Sequence, residues 1–305
     1  MQSSTLEFAT RSVGAAAPRR WVPARWVRQW LRVKLIVGGV VVLALLAVGA
    51  FGPLAAPYDP NVQDLGSSLV PPQWLTGSHI LGTDSLGRDL LSRLMHGARV
   101  SLIIAFAVVV ISGMVGVVLG ATSGYYGGRV DFLIQKLVEV VWAFPALLLA
   151  IAIMTFLGQG LSNLLLALVA QRWIGYCRVV RSETLSLRQR DFVTAARVIG
   201  ARDGRIIGRH VLPNVLPTSL VIATFTMASA IISESSLSFL GLGVPPDTPT
   251  WGTMLADSRN YLSTAPWPAI FPGLAIFVVV LGINLLGDGL RDVLDPHMQK
   301  TASSL

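Results

Sequence analysis

Charge is missing from this chain in long blocks, and that constrains its fold more than any other feature. Residues 35–58, 100–128, 140–171 and 260–287 contain no Asp, Glu, Lys or Arg, and the stretch 211–244 carries only Glu234. A helix needs about 20 residues to cross roughly 30 Å of hydrocarbon, so each block is long enough to span a bilayer. The block 140–171 is too long for one span, and Gly158-Gln159-Gly160-Leu161-Ser162-Asn163 is a turn-like cluster that divides it. With 53% hydrophobic and 13% charged residues, the chain is too apolar for a soluble domain. The expected fold is an all-α membrane protein with six transmembrane helices, near 33–56, 100–126, 131–157, 161–182, 213–241 and 268–288.

The basic residues orient those spans. Arg11, Arg19, Arg20, Arg25, Arg28, Arg32 and Lys34 precede the first span against Glu7 alone. Arg172, Arg178, Arg181, Arg188, Arg190, Arg197, Arg202, Arg205 and Arg209 crowd the fourth span's inner end and the loop after it, against Glu183, Asp191 and Asp203. The segments 57–99 and 242–267 are near neutral or slightly acidic. The positive-inside rule then puts the N-terminal segment 1–32, the loop 183–212 and the tail 299–305 in the cytosol. The apolar run from Leu35 to Phe51 exceeds the core of a cleaved secretory signal. Trp21, Trp26 and Trp30 among arginines read better as an interfacial anchor.

Several chemistries are excluded. Lys34, Lys136 and Lys300 are the only lysines and none follows a glycine, so no phosphate-cradling Gly-x-x-x-x-Gly-Lys loop exists. His79, His96, His210 and His297 lack metal-ligand spacing, and Cys177 stands alone, so neither a metal site nor a disulfide is expected. Cys177 reads as a small buried hydrophobe. No cofactor is expected, and the net charge of +8 is distributed for a membrane rather than for nucleic acid. Ionisable groups within the spans reduce essentially to Glu139 and Glu234, thin support for the alternative of a self-sufficient ion-coupled carrier.

The arginine loop has a pattern. Asp191 to Gly200 reads as a short helix on which Val193, Ala196 and Gly200 share a face, and Gly200 lets the backbone reverse. A second short helix and Leu212-Pro213 then lead into the fifth span. By itself such a loop serves equally as a basic surface facing anionic lipid. The frame Thr194-Ala195-Ala196, three residues, Gly200, then nine residues to His210 and Leu212-Pro213, resembles the "EAA" loop of ABC importer permeases. Thr194 stands where that family usually has Glu, and His210 where it has Ile, so the usual carboxylate at the first position is missing.

Four further stretches narrow the resemblance. His79 to Arg93 followed by Gly97-Ala98-Arg99 looks like the segment before the second span in dipeptide/oligopeptide-type permeases; it contains Gly82, Thr83, Asp84, Gly87, Arg88, Asp89, Ser92 and Arg93. Gly124-Tyr125-Tyr126-Gly127-Gly128, Pro249 to Leu255 and Gly287 to Pro296 fit as well. The similarity runs from about residue 30 to 298 and is closest to the "C" permease of the dipeptide/oligopeptide/nickel transporter family.

That resemblance implies the type I ABC importer permease fold and a pore subunit that is not itself an enzyme. It implies as partners a paralogous permease, two ATP-binding cassette subunits and an extracytoplasmic solute-binding protein. Membrane lipid would surround the assembly. It also assigns coupling to the ATPase to Asp191, Thr194, Ala195, Ala196, Gly200, Leu212 and Pro213. The cargo would be di- or oligopeptides, with nickel chelates, glutathione or another small solute as the alternative. Six helices alone enclose a pore poorly, which independently favours a second permease subunit. Read physically, the His79–Arg99 stretch is either an ion-pair and turn network capping the second span or a landing surface for the solute-binding protein. Polar groups within spans nominate Glu139, Trp142 and Pro145, Ser229, Ser233 and Glu234, and Asn284 as pathway lining, with interhelical hydrogen bonding as the other reading. Glu139 can also pair with Lys136 on its own helix face.

Overall fold

The computed structural model describes residues 24–74 and 77–294. Most of the segment 1–32, Asp295, Pro296 and the tail 299–305 lie outside the described residues. In chain order α1 is Ala24–Ala55, α2 Leu90–Tyr126, α3 Gly128–Trp142, α4 Ala146–Leu157 and α5 Leu161–Leu187. They are followed by α6 Asp191–Val198, α7 Asp203–Ile206, α8 Leu212–Phe239, α9 Trp251–Ser258 and α10 Trp267–Leu294. Among the described residues, four helical stretches, in α1, α2, α7–α8 and α10, are long and apolar enough to cross a membrane. The α3–α4 pair, bent by 82°, makes a fifth. The remaining expected span, α5, is long enough at 27 residues but carries Arg172, Arg178 and Arg181.

Three boundaries differ from the sequence reading, each for a local reason. Helix α2 starts at Leu90 rather than near 100, because the Asp89 carboxylate accepts the Ser92 amide at 2.8 Å and caps the first turn. The third span breaks after Trp142, since Pro145 disfavours helix at the residue before it and cannot donate a backbone hydrogen bond. The Gln171 side-chain amide donates to the freed carbonyls of Val141 and Phe144 at 3.1 and 2.6 Å. The end of the arginine loop is helical too: a π-turn over Ile207–Val211 joins α7 to α8 ahead of Pro213, which has no amide hydrogen to give.

Small residues set the packing. Gly116, Gly120 and Gly124 recur every fourth residue on α2 and face α5. A Cβ on Gly116 would overlap the Trp173 carbonyl; on Gly120 and Gly124 it would lie 2.6 and 2.7 Å from the carbonyls of Cys177 and Arg181. Only bare backbone permits that approach, the way helices associate where lipid removes the hydrophobic incentive. Cys177 is fully buried there beside Val138, Trp173 and Ile174. Helix α1 lies along α10 through Gly38 and Gly282, and Lys34 Nζ reaches Asp292 at 3.1 Å. The C-terminal half of α1 meets the start of α2 at Gly49–Leu102 and Gly52–Met95. The start of α1, the end of α2 and the end of α10 therefore lie at one end of the bundle. Ile36, Leu43, Phe51, Phe132, Leu148 and Phe156 face outward, apolar surface suited to hydrocarbon rather than to water.

Candidate functional site

At that same end, α6 forms a short lever under the bundle. Val193 and Ala196 point inward and are buried, whereas Asp191, Thr194, Ala195 and Gly200 are exposed. The helix stops in a paired-bond cap: the Ala201 amide donates to Ala196 O and the Gly200 amide to Arg197 O, both at 3.0 Å. That cap requires the left-handed φ of +81° at Gly200. Beyond Ala196 and Val193 lies a small apolar core of Ala121, Tyr125, Val180, Ile206, Val211 and Val215, so the lever rests on α2, α5 and α8 together. Leu212 packs against this core at the start of α8, and Pro213 beside it is exposed. Facing away from it, Phe192 is partly open, and Val198 and Ile199 are 82% and 84% exposed. Thr194 Oγ1 donates at 3.5 Å to the Arg190 carbonyl of its own helix.

Polar contacts tie the lever to the spans. The Tyr125 hydroxyl donates to Asp203 at 2.8 Å and accepts from Arg197 Nε at 3.4 Å, and the Arg197 guanidinium lies 5.1 Å from the Tyr125 ring centre. Arg188 donates to the Tyr125 carbonyl at 2.9 Å. Two turns before Arg188 on α5, Arg181 grips Asp131 through two bonds of 2.5 and 2.6 Å, joining α5 to α3.

The opposite end carries the His79–Arg99 stretch. Asp84 accepts from Arg88 Nε at 2.6 Å and from the Arg88 and Leu86 amides at 2.9 Å. Arg88 and Arg93 both reach Asp257 of α9, at 2.9 and 3.5 Å, and Arg93 Nε lies 3.6 Å from Asp84. His79 Nδ1 sits 2.9 Å from the capping Asp89. Gly82 and Gly87 take positive φ in the turns between, Thr83 accepts the Val70 amide at 2.8 Å, and Arg99 alone of the arginines named here is exposed. Asp64, in a neighbouring exposed turn, is held below the usual carboxylate range by bonds from Ser67 and the Gly66 amide.

The nominated lining residues do not converge on one cavity. Glu139 is exposed and pairs with Lys136 at 2.7 Å. Trp142 is exposed with the Arg178 guanidinium 3.4 Å above its ring, beside the break at Pro145. Glu234 is 1% exposed inside the bundle, taking bonds from Ser238 at 2.8 Å and from Ser101 and Ser235 at 3.4 Å. Asn284 is half-buried on α10. Ser229 and Ser233 of α8 are engaged by Arg172 of α5: the guanidinium donates to both hydroxyls and, at 2.9 Å, to the Ser229 carbonyl.

Comparison with known proteins decides what kind of molecule this is. Residues 116–300 match the family described as binding-protein-dependent transport system inner membrane component, and residues 25–72 match the N-terminal TM domain of oligopeptide transport permease C. The chain belongs to this permease family. The di/tripeptide transport system permease protein DppC of Pseudomonas aeruginosa is 46% identical over 270 residues, covering 87% of this chain and 89% of that one. The dipeptide permease DppC of Alkalihalophilus pseudofirmus is 41% identical, covering 87% and 86%. The glutathione permease GsiD of Pectobacterium atrosepticum is 40% identical, covering 95% and 94%. Among solved structures, a chain of an inward-facing MetNI methionine ABC transporter superposes with a TM-score of 0.49 at 19% identity, covering 64% of this chain and 94% of that chain.

The protein is thus a dipeptide/oligopeptide-type ABC permease, a multi-pass component of a binding-protein-dependent importer in the bacterial inner membrane. Such a permease works with ATP-binding and solute-binding partners. Two features of this permease escaped the sequence reading. Tyr125 stood out only as part of a family stretch, and nothing local announced that its ring would meet a helix more than 65 residues away. Asp131, Arg181 and Arg172 were visible as charges inside spans, and the rule that intramembrane charge marks a site would have singled them out.

Proposed function

We propose that this permease forms half of the translocation pathway for di- and oligopeptides, with both termini cytosolic. Its six spans are α1, α2, the bent α3–α4 pair, α5, α7–α8 and α10. The single observation that carries the reading is α6, a helix seated on three spans through Val193 and Ala196 while Phe192, Val198 and Ile199 stay open. An apolar face presented to water at the end of a basic loop calls for a protein partner. The chain has no nucleotide-cradling loop of its own, so ATP hydrolysis falls to that partner. Asp191, Thr194, Ala195, Ala196, Gly200, Leu212 and Pro213 form or frame the coupling surface.

The complete assembly in this reading pairs the chain with a paralogous permease, two ATP-binding cassette subunits and an extracytoplasmic solute-binding protein. Closure of the ATPase pair displaces α6 as a rigid body. Because α6 rests on α2, α5 and α8 at once, the displacement tilts those spans together and switches the cavity between inward- and outward-open states. The Asp84–Arg88–Arg93–Asp257 cluster fixes the outer ends of α2 and α9 beneath the solute-binding protein. Peptide as cargo rests on the similarity to the di/tripeptide and dipeptide permeases. The glutathione permease similarity favours a second reading in which the cargo is a modified tripeptide.

The test is proximity in the assembled transporter. Ile199→Cys is expected to form an oxidative cross-link with single cysteines introduced into the ATP-binding subunit. Uptake of labelled dipeptide into proteoliposomes should then require both ATP and the solute-binding protein. A position 199 that cross-links to no subunit while ATP-driven uptake continues would remove α6 from the coupling path.

A further inference from the structure

Arg172 is a charge without an opposite number. With α5 as the fourth span, it stands eleven residues past Leu161. At 1.5 Å per residue it is about 16 Å deep, near the middle of a roughly 30 Å hydrocarbon layer. Three of its N–H groups go to Ser229 Oγ, Ser229 O and Ser233 Oγ, and among the described residues no carboxylate lies within ion-pair distance. A guanidinium has five donors, so among the described residues two, one on Nε and one on Nη1, stay unused. A helix-to-helix clamp onto two serines needs a hydrogen-bond donor, not a cation. Holding an unpaired cation at that depth is costly, and such groups usually serve a pathway.

The surroundings are open and polar. Gln171, Gly175, Arg178 and Ser182 recur at i, i+4, i+7 and i+11, one face of α5 that Arg172 borders. Gly175 and Ser182 on that face are exposed, and a Cβ on Gly175 would meet nothing within 4 Å. The face runs between α8, with Ser229 and Ser233, and the broken α3–α4 span, whose Trp142 carries Arg178 stacked at 3.4 Å. Two guanidiniums therefore border an exposed face that is bare of side chain at Gly175. Glu183, near the angular position of Arg172, lies about 16 Å further toward the lever.

We propose that Arg172, steadied by Ser229 and Ser233, is a carboxylate-binding subsite of the translocation path. The ligand class is small anionic solutes and, resting on the peptide reading above, the free C-terminal carboxylate of a passing peptide. The donors left over, on Nε and Nη1, lie on different edges of the guanidinium, so either can give a carboxylate a single charge-assisted bond. The serine hydroxyls hold the guanidinium in place without neutralising it, so the site attracts an anion and still releases it.

The experiment uses the complete reconstituted transporter with saturating solute-binding protein. Initial uptake is measured for a dipeptide and for its C-terminal amide, in wild type, R172Q and R172K. Selection by the solute-binding protein is common to all three and cancels in each variant-to-wild-type ratio. R172Q is expected to slow the free acid about tenfold and the amide less than about twofold, with R172K between for the acid. Equal loss for acid and amide in an intact R172Q complex would make Arg172 a structural clamp and overturn the subsite. Loss of the paralogous permease from purified R172Q would assign the charge to an intersubunit ion pair and overturn it as well. Failure of the wild-type complex to import either peptide would overturn the peptide reading, and the subsite argued from it.

Discussion

The two ends of this permease are held by opposite means. At the end where α2 begins, Asp84, Arg88 and Arg93 are buried and linked to one another and to Asp257, so the turns before α2 and the short α9 are fixed to each other. At the opposite end α6 is held by two inward side chains, one tyrosine hydroxyl and a cap on Gly200, and much of its surface is bare. A buried ion network resists being pulled apart because each separated charge would be left unpaired in a poor solvent. A few apolar contacts and one hydroxyl can be exchanged for another arrangement at small cost. That contrast is what the proposed coupling through α6 requires.

Asp84→Ala tests the fixed end and should have the largest effect. It leaves the buried Arg88 and Arg93 to share the half-exposed Asp257 as their one carboxylate, a loss of up to about 3 kcal/mol. A lowered unfolding midpoint in mild detergent and poor recovery from the membrane are expected. A midpoint equal to wild type would mean the ion network is not what holds that end. Gly200→Val tests the lever. A β-branched residue in the left-handed region costs at least about 1–2 kcal/mol, enough to spoil the cap without unfolding the bundle. Membrane insertion should persist while transport per ATP hydrolysed falls; wild-type uptake by this variant would end the assignment of α6 to coupling. Tyr125→Phe sharpens the contrast with the smallest change, removing one hydroxyl worth about 0.5–1.5 kcal/mol. Its signature is a severalfold drop in the ratio of transport to ATPase rate with unfolding unchanged. A shift in the midpoint alone would make Tyr125 part of the scaffold.

Much of this architecture is written in one-dimensional pattern. The charge-free windows locate α1, α2 and α10, and the window broken only by Glu234 locates α8, because crossing hydrocarbon demands a long apolar run. The short α6 and the turn at Gly200 are legible because only glycine ends a helix cheaply with that φ. The bend between α3 and α4 was not read, although Pro145 was in plain view, because a proline in a span signals either a kink or a break, and Gln171 from another helix stabilises the break. The early start of α2 was missed for a similar reason: Asp89 looked like one charge in a polar stretch until its carboxylate met the Ser92 amide. Pairings across the bundle, Arg172 with Ser229 and Arg181 with Asp131, depend on helix rotation that periodicity does not set. The sole signal for them was charge where charge is expensive.

The ridge of Gly116, Gly120 and Gly124 has a mechanical consequence. With backbone lodged against backbone along several turns, α2 and α5 leave no slack for sliding or rolling past each other, so they travel as one plank. On the coupling proposed above, a push on α6 would swing a two-helix board carrying Gln171, Arg172 and Gly175 on its face. The compliance needed for that swing would then come from the elbow at Pro145, where the α3–α4 pair is already bent.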